Sequence, residues 1–302
     1  DAFSARTGLS DTMRPGSISA LGQSDEIALR AAFSGPPPPP AQRYWRGPVL
    51  TRFDGREWHA EPAAESASPS YTPQGERIDY LLTIEPHQRR WLIALEHPGP
   101  ARPPIRYTGD LRALAAEPLR ARARFALGAY PHTPVGVAES PAVLASATTL
   151  PADSNPRSRR LAAELAAGAR DHAEILERVL ARLRALRLAY TLRPPLLGRH
   201  AADEFLFDAR RGFCEHFASA FAVLMRAAGV PTRIVTGYQG GEINPIDGQL
   251  VVRQSDAHAW AEVWLQGQGW LRVDPTALAA PERIDGGLAA ALADAGELPL
   301  ML

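Results

Sequence analysis

The chain carries one cysteine, Cys214, in the run Arg211-Gly212-Phe213-Cys214-Glu215-His216-Phe217-Ala218. It follows a glycine and precedes apolar residues at helical spacing, so the thiol opens a helix. There the unpaired N–H groups and partial positive charge of the helix terminus favour an anion. Downstream lie Ser255-Asp256-Ala257-His258-Ala259-Trp260 and Gly269-Trp270-Leu271-Arg272-Val273-Asp274-Pro275-Thr276. In that chain order, Cys214, His258 and Asp274 are the three parts of a thiol acyl-transfer site: a nucleophile, a base to take its proton, and a carboxylate to orient the imidazole. A free thiol titrates near ~8.5, so the histidine and the helix terminus have to lower it for attack at neutral pH. The backbone N–H of Cys214 is a natural donor to the oxyanion that follows.

Two strands and a helix have to bring these residues together. Strand alternation puts His258, Trp260, Glu262 and Trp264 on one face, with Ala259, Ala261, Val263 and Leu265 on the other. In the next strand Trp270, Arg272 and Asp274 share a face. A three-residue loop Leu265-Gln266-Gly267, with its glycine left-handed, pairs Trp264 with Gln268, Glu262 with Trp270, Trp260 with Arg272 and His258 with Asp274. A slip of one residue would send His258 and Asp274 to opposite faces. The helix from Cys214 to Ala228 is apolar at Phe217, Ala220, Phe221, Leu224 and Met225 and is stopped by Gly229-Val230-Pro231. It is expected to pack on the His258 face and bring the thiol to the imidazole.

The rest of the chain changes texture near residue 150. Before it, the stiff run Pro36 to Pro40 is followed by strand candidates at 44–58, turning at Asp54-Gly55, and at 77–85, 90–96 and 105–111. Short strands without intervening helices indicate a β-sandwich-like domain. After it, Ser154-Asn155-Pro156 sets a cap before a helix-opening proline, and 157–188 has helical spacing, divided at Gly168 and Asp171. Strands at 232–238, 249–254, 258–265 and 270–274 follow the Cys214 helix. The expected organisation is α+β: 1–150 a β-rich N-terminal domain, 151–280 a catalytic core, and 281–302 a tail.

At 302 residues the chain is long enough for two domains. Its 33 basic residues, all arginine, balance 33 acidic ones, so no net field points to nucleic acid or an anionic membrane surface. One cysteine excludes an intrachain disulfide and every multi-cysteine zinc or iron–sulfur site. No calcium-ligand loop is evident, and neither metal nor cofactor is expected. No run approaches the roughly 18 to 20 apolar residues of a membrane span, and no signal region opens the chain. A start at Asp1 and a stop at Met301-Leu302 read as a soluble piece of something longer.

The stretch from Arg211 to Thr276 resembles the core of the transglutaminase-like superfamily. That fold is papain-like, with a cysteine-bearing helix packed on an antiparallel sheet that supplies histidine and aspartate. Upstream, Arg14-Pro15-Gly16-Ser17-Ile18-Ser19, Ser24-Asp25-Glu26, Arg43-Tyr44-Trp45-Arg46-Gly47 and Phe53-Asp54-Gly55-Arg56-Glu57-Trp58 resemble the bacterial membrane-anchored TgpA-type transglutaminases. The resemblance implies that Cys214 attacks a glutamine carboxamide, that His258 takes the thiol proton and later protonates departing ammonia, and that Asp274 holds the imidazole. The thioester then passes to a primary amine. It implies a glutamine-containing protein or peptide as donor and a primary amine as acceptor. It further implies a place on the periplasmic face of the bacterial inner membrane, anchoring through segments outside this chain, and a role in the cell envelope. Animal transglutaminases complete the oxyanion site with a tryptophan upstream of the cysteine. No tryptophan lies between Trp91 and Cys214 here, and Tyr190 stands as the substitute. Two other readings remain. A cysteine protease, amidase or deamidase would use the same triad with water as acceptor, and an envelope-binding scaffold would recognise polymers through the β half.

Trp260 either lines a substrate groove or packs the sheet. Asp256 either hydrogen-bonds within the site or shapes the turn into the His258 strand. His216 reads as a capping or surface residue rather than a metal ligand. Glu262 and Arg272 have faces suited to a structural ion pair.

Overall fold

The structure, a computed structural model, describes residues 8–102 and 105–287. Tyr44–Phe53 (β3) and Thr232–Gln239 (β8) are rich in aromatic and β-branched residues and are buried over most or all of their length, which makes them central strands. They pair with each other in an antiparallel sheet. Its order is Thr12–Met13 (β1), Trp58–Ala60 (β4), β3, β8, Ala257–Leu265 (β11) and Gly269–Val273 (β12), with Ala94–Leu95 (β6) also on β3. A second antiparallel sheet runs Ala123–Ala129 (β7), Ile78–Ile84 (β5), Ile27–Phe33 (β2), Leu250–Arg253 (β10) and Glu242–Ile243 (β9). Strands from before and after residue 150 therefore share both sheets. The Asp54-Gly55 turn joins β3 to β4 as expected, with Gly55 at φ +102°.

The helical segment divides where expected, into Pro156–Ala166 (α1) and His172–Leu186 (α2), and Asp171 caps α2 by accepting from the Glu174 N–H. Asn155 does not cap α1 with its side chain. It adopts the left-handed conformation and accepts instead from the Ala202 and Asp203 N–H groups. The open end of α1 is met from outside by Asp203, which takes the Arg157 and Ser158 N–H groups at 2.8 and 2.7 Å. Cys214–Ala227 (α3) is buried from Cys214 through Arg226, with α1 and α2 packed against it.

Two expectations about the catalytic strands need correction. The hairpin loop is Gln266-Gly267-Gln268, and the register is Leu265↔Gly269, Trp264↔Trp270, Glu262↔Arg272 and Ala261↔Val273. The expected pairing is thus off by two residues. Gly267 and Gly269 both take positive φ, and Trp270 bonds the Val135 carbonyl, which fixes where β12 begins. A shift of two keeps every side chain on its expected face, so His258 and Asp274 still share one. The second correction is that α3 packs on the opposite face. Its apolar residues join one core with Ala259, Ala261, Val263 and Leu265, whereas Trp260 clusters separately with Tyr44, Val49 and Val235. Small side chains let the helix approach closely, and tryptophans do not.

The Trp260 face carries a buried ion network. Glu262 pairs with Arg46 and, at 2.6 Å, with Arg233, while Arg272 pairs with Glu96. Glu262 and Arg272 are cross-strand neighbours but bind other partners, because Arg46 and Arg233 reach Glu262 from β3 and β8. Residues 281–287, the first part of the expected tail, fold back with a helical turn over 282–287 and bury Arg283 and Ile284. Residues 288–302 lie outside the described residues. No helix among the described residues is long and apolar enough to cross a membrane.

Candidate active site

Pro275 ends β12, and Asp274 caps the turn that follows by accepting the Thr276 N–H on Oδ1 at 3.1 Å. The carboxylate thereby turns back across the strand end. Its Oδ2 receives His258 Nε2 at 2.7 Å and the Tyr44 hydroxyl at 2.7 Å. The pair is diagonal rather than directly opposite, within reach of two side chains on one face. Burial opposes ionisation of Asp274, but His258, Tyr44 and Arg283 outweigh it and hold the carboxyl below its ordinary range. The imidazole is completely buried, stacks on Trp260 at 6.2 Å between ring centres, and among the described residues has no partner for Nδ1. With Nε2–H given to Asp274, Nδ1 carries the free lone pair.

The early end of β12 also makes room for the thiol. The Trp264 N–H bonds Pro231 on the β8 side. Alternation therefore directs the N–H groups of Ala259, Ala261 and Val263 toward β12. The last β12 pair is Ala261↔Val273, so Ala259 lies beyond it, and its N–H points at the Cys214 sulfur. The sulfur thus stands at the free edge of β11, one peptide unit from His258. Cys214 is the first residue of α3 and its N–H has no intrahelical partner. His216 caps that end by accepting the Phe213 N–H on Nδ1 at 3.1 Å. It is buried, so the capping expectation holds and the surface one does not.

The helix terminus and histidine do not leave the thiol acidic in this closed site. Burial, followed by the charge of Glu215, pushes Cys214 up, against the pull of Arg283 and the Ala259 N–H. Burial likewise lowers the basicity of His258, against Asp274. Both effects favour a neutral thiol and imidazole pair.

Tyr190 lies in a two-residue parallel ladder, Ala189–Tyr190 with Arg211–Gly212, that ties it to the approach to α3. Its ring packs on Phe213 at 5.2 Å, and its buried hydroxyl faces Arg283. Burial and then Cys214 raise its pKa, which places the phenol in the thiol's field. Trp260 is fully buried against Tyr44 and His258, so in this site it supports the imidazole. Asp256 accepts the Arg253 N–H at 2.9 Å and shapes the turn into β11.

Sequence reasoning missed Tyr44, Glu215 and Arg283. Tyr44 was visible only as part of an N-terminal phrase. No local pattern ties it to Asp274, 230 residues away. Glu215 is completely buried and accepts the Gly16 and Ile18 N–H groups at 2.6 and 2.8 Å and the Ser17 hydroxyl at 3.1 Å. Arg283 lay in the expected tail. Among the described residues the one grouping able to offer three ligand atoms to a metal is Asp54, Glu57 and His59, in the β3–β4 turn. Asp54 is already engaged there by the Arg56 and Glu57 N–H groups and by His59.

A cysteine at the start of a buried helix, set against the edge of an antiparallel sheet that carries a hydrogen-bonded histidine and aspartate, defines the papain-like class of thiol acyl-transfer folds. Residues 159–275 match the transglutaminase-like superfamily and residues 1–136 the TgpA N-terminal domain. The chain is 41% identical over 293 residues to a Pseudomonas aeruginosa protein named protein-glutamine gamma-glutamyltransferase, covering 96% of this chain and 44% of that protein. It thus spans less than half the length of that relative. The crystal structure of the periplasmic domain of TgpA from P. aeruginosa superposes with a TM-score of 0.90 at 40% identity, over 93% of this chain and 98% of that one. The same domain bound to ethylmercury gives 0.88 at 41% identity, over 92% and 100%. The chain belongs to the TgpA family of transglutaminase-like proteins.

Proposed function

We propose that this chain is the acyl-transfer unit of a protein-glutamine gamma-glutamyltransferase. Cys214 attacks the glutamine carboxamide, His258 Nδ1 takes the thiol proton and returns it to departing ammonia, and Asp274 holds the imidazole. The Cys214 N–H and the Tyr190 hydroxyl receive the oxyanion. A primary amine then takes the acyl group from the thioester. The observation that carries this reading is the buried His258, bonded through Nε2 to Asp274 and left with a free Nδ1 beside the residue whose N–H meets the Cys214 sulfur.

In this reading the strands before residue 150 complete the sheet and supply Tyr44, and residues 151–280 bear the chemistry. The relative's name and the periplasmic domain it contains support a site on the periplasmic face of the inner membrane, anchored by segments outside this chain. The donor is a glutamine-containing envelope protein or peptide. Mass spectrometry of a glutamine-containing protein incubated with the chain and a primary amine tests the proposal, with Cys214→Ala as blank. Amine adducts on glutamine are expected. Conversion to glutamate or backbone cleavage would make water the acceptor, and no Cys214-dependent product would overturn the proposal.

A further inference from the structure

Arg283 brings to the site a buried positive charge that the proposed mechanism leaves unused. Arg283 is completely buried on the turn 282–287. Its Nη1 donates to the Gln239 side-chain and backbone carbonyl oxygens at 2.8 and 3.3 Å, and its Nη2 to the Asp256 carbonyl at 3.2 Å. All three are neutral oxygens. Among the described residues no carboxylate lies within ion-pair distance of it, and its further side-chain neighbour is the neutral Tyr190 hydroxyl. A buried guanidinium without a carboxylate is costly. Pinning 281–287 to β8 and to the turn before β11 would account for Nη1 and Nη2, but not for the buried charge.

The anchors set the guanidinium beside the imidazole. Asp256 lies two residues before His258, and Gln239 lies two past Gly237, which is paired with His258. Its charge acts most strongly on Tyr190, then on Asp256, Cys214 and Asp274. The Tyr190 hydroxyl lies within hydrogen-bonding reach of the same guanidinium and is itself buried. Donors fixed in place before any anion exists, in a site closed to water, are what stabilises charge that appears only in the transition state.

We propose that Arg283 is an oxyanion-stabilising residue of this site, presenting its charge, alongside the Tyr190 hydroxyl that it faces, to the oxygen of the carbonyl that Cys214 attacks. The proposal rests on the acyl-transfer reading above. As the sulfur–carbon bond forms, the C=O π pair moves onto oxygen and the thiol proton passes to His258 Nδ1. The negative oxygen then lies among the Cys214 N–H, Tyr190 and Arg283. On collapse the pair re-forms C=O and the C–N bond breaks. The nitrogen leaves as ammonia with the proton from His258, and the thioester remains.

The test measures ammonia release and hydroxamate formation from benzyloxycarbonyl-Gln-Gly with hydroxylamine, for the wild type and for Arg283→Met, Arg283→Gln and Arg283→Lys, each checked for folding by thermal melting. Arg283→Met and Arg283→Gln should lower kcat by about 100-fold with KM within about threefold. Arg283→Lys, which keeps the charge, should recover at least about a tenth of the wild-type kcat. If Arg283→Met does not fold, the Gln and Lys variants make the same comparison. Wild-type or higher kcat in the neutral variants would mean that the segment only covers the site. A loss carried by KM, or equal in Lys and Met, would reduce Arg283 to a structural clamp. A wild type that releases no ammonia and forms no acyl adduct on Cys214 would remove the functional reading itself, and this assignment with it.

Discussion

The Tyr44 hydroxyl donates to Asp274 Oδ2 at 2.7 Å, on the same oxygen that holds His258. Arg272 lies over the tyrosine ring, 3.9 Å from its centre, and is itself paired with Glu96. The carboxylate proposed to orient the base is thus positioned by a strand from the other half of the chain.

Tyr44→Phe removes that donor and leaves the ring. A hydrogen bond to a charged group contributes about 1.5–3 kcal/mol, so the rate should fall by roughly tenfold or more. Because the lost bond helps to hold Asp274 ionised, the acid limb of the pH–rate profile should move to higher pH. An unmoved acid limb would show that Tyr44 serves packing alone.

Cys214→Ala and His258→Ala should each abolish turnover with far-ultraviolet circular dichroism unchanged, and activity in either purified variant would sink the mechanism. Asp274→Asn can still accept the Thr276 N–H, so the turn should survive. The rate should nevertheless fall by about 10³–10⁴-fold as the imidazole is held in the wrong tautomer.

Burial raises the Glu215 carboxyl to about 7, against the N–H groups of Ile18 and Gly16. In the unfolded chain it titrates near ~4.3. Between those values the folded chain binds more protons, so this contribution to stability is greatest below the window and is lost as pH rises through about 7. The span is roughly 4 kcal/mol. Urea unfolding from about pH 4 to pH 8 should show the decline, and Glu215→Gln should flatten it; identical slopes would assign the titration elsewhere.

Glu262 is almost completely buried between Arg46 and Arg233. Removing one member of a buried ion network strands the others, so Glu262→Ala should destabilise the fold by about 3–5 kcal/mol in chemical denaturation. A loss below about 1 kcal/mol would mean that water or a neighbour takes over the arginines.

Activity should persist in a chelator, because the Asp54, Glu57 and His59 group belongs to the β3–β4 turn and its Asp54 is already occupied by local donors. Strict calcium dependence of amine incorporation would refute this.

Much of the geometry of the candidate site was legible because strand alternation depends only on parity. His258 and Asp274 kept their common face although the register differs by two. What alternation does not encode is how long β12 runs. Pro275 and the Asp274 cap end it before Ala259, and the edge left free is where the thiol docks. The helix face was also misread. Proximity of cysteine to histidine suggested packing on the histidine side, whereas side-chain size favoured the alanines. Tyr44, Glu215 and Arg283 were out of reach for a different reason: each meets its partners across long stretches of chain, with no spacing rule linking them.

The placement of β3 between β4 and β8 has a consequence for how the protein comes into being. Sheets closed by such distant segments carry high contact order and form slowly. While β3 is undocked, β8 exposes a bare edge open to pairing with other chains. Tyr44 can reach Asp274 only after more than two hundred residues have followed it, so a nascent or truncated chain carries its thiol without the carboxylate support that orients the base. On the proposed mechanism, reactivity is thus coupled to completion of the fold, and an unfinished molecule would have little capacity for acyl transfer.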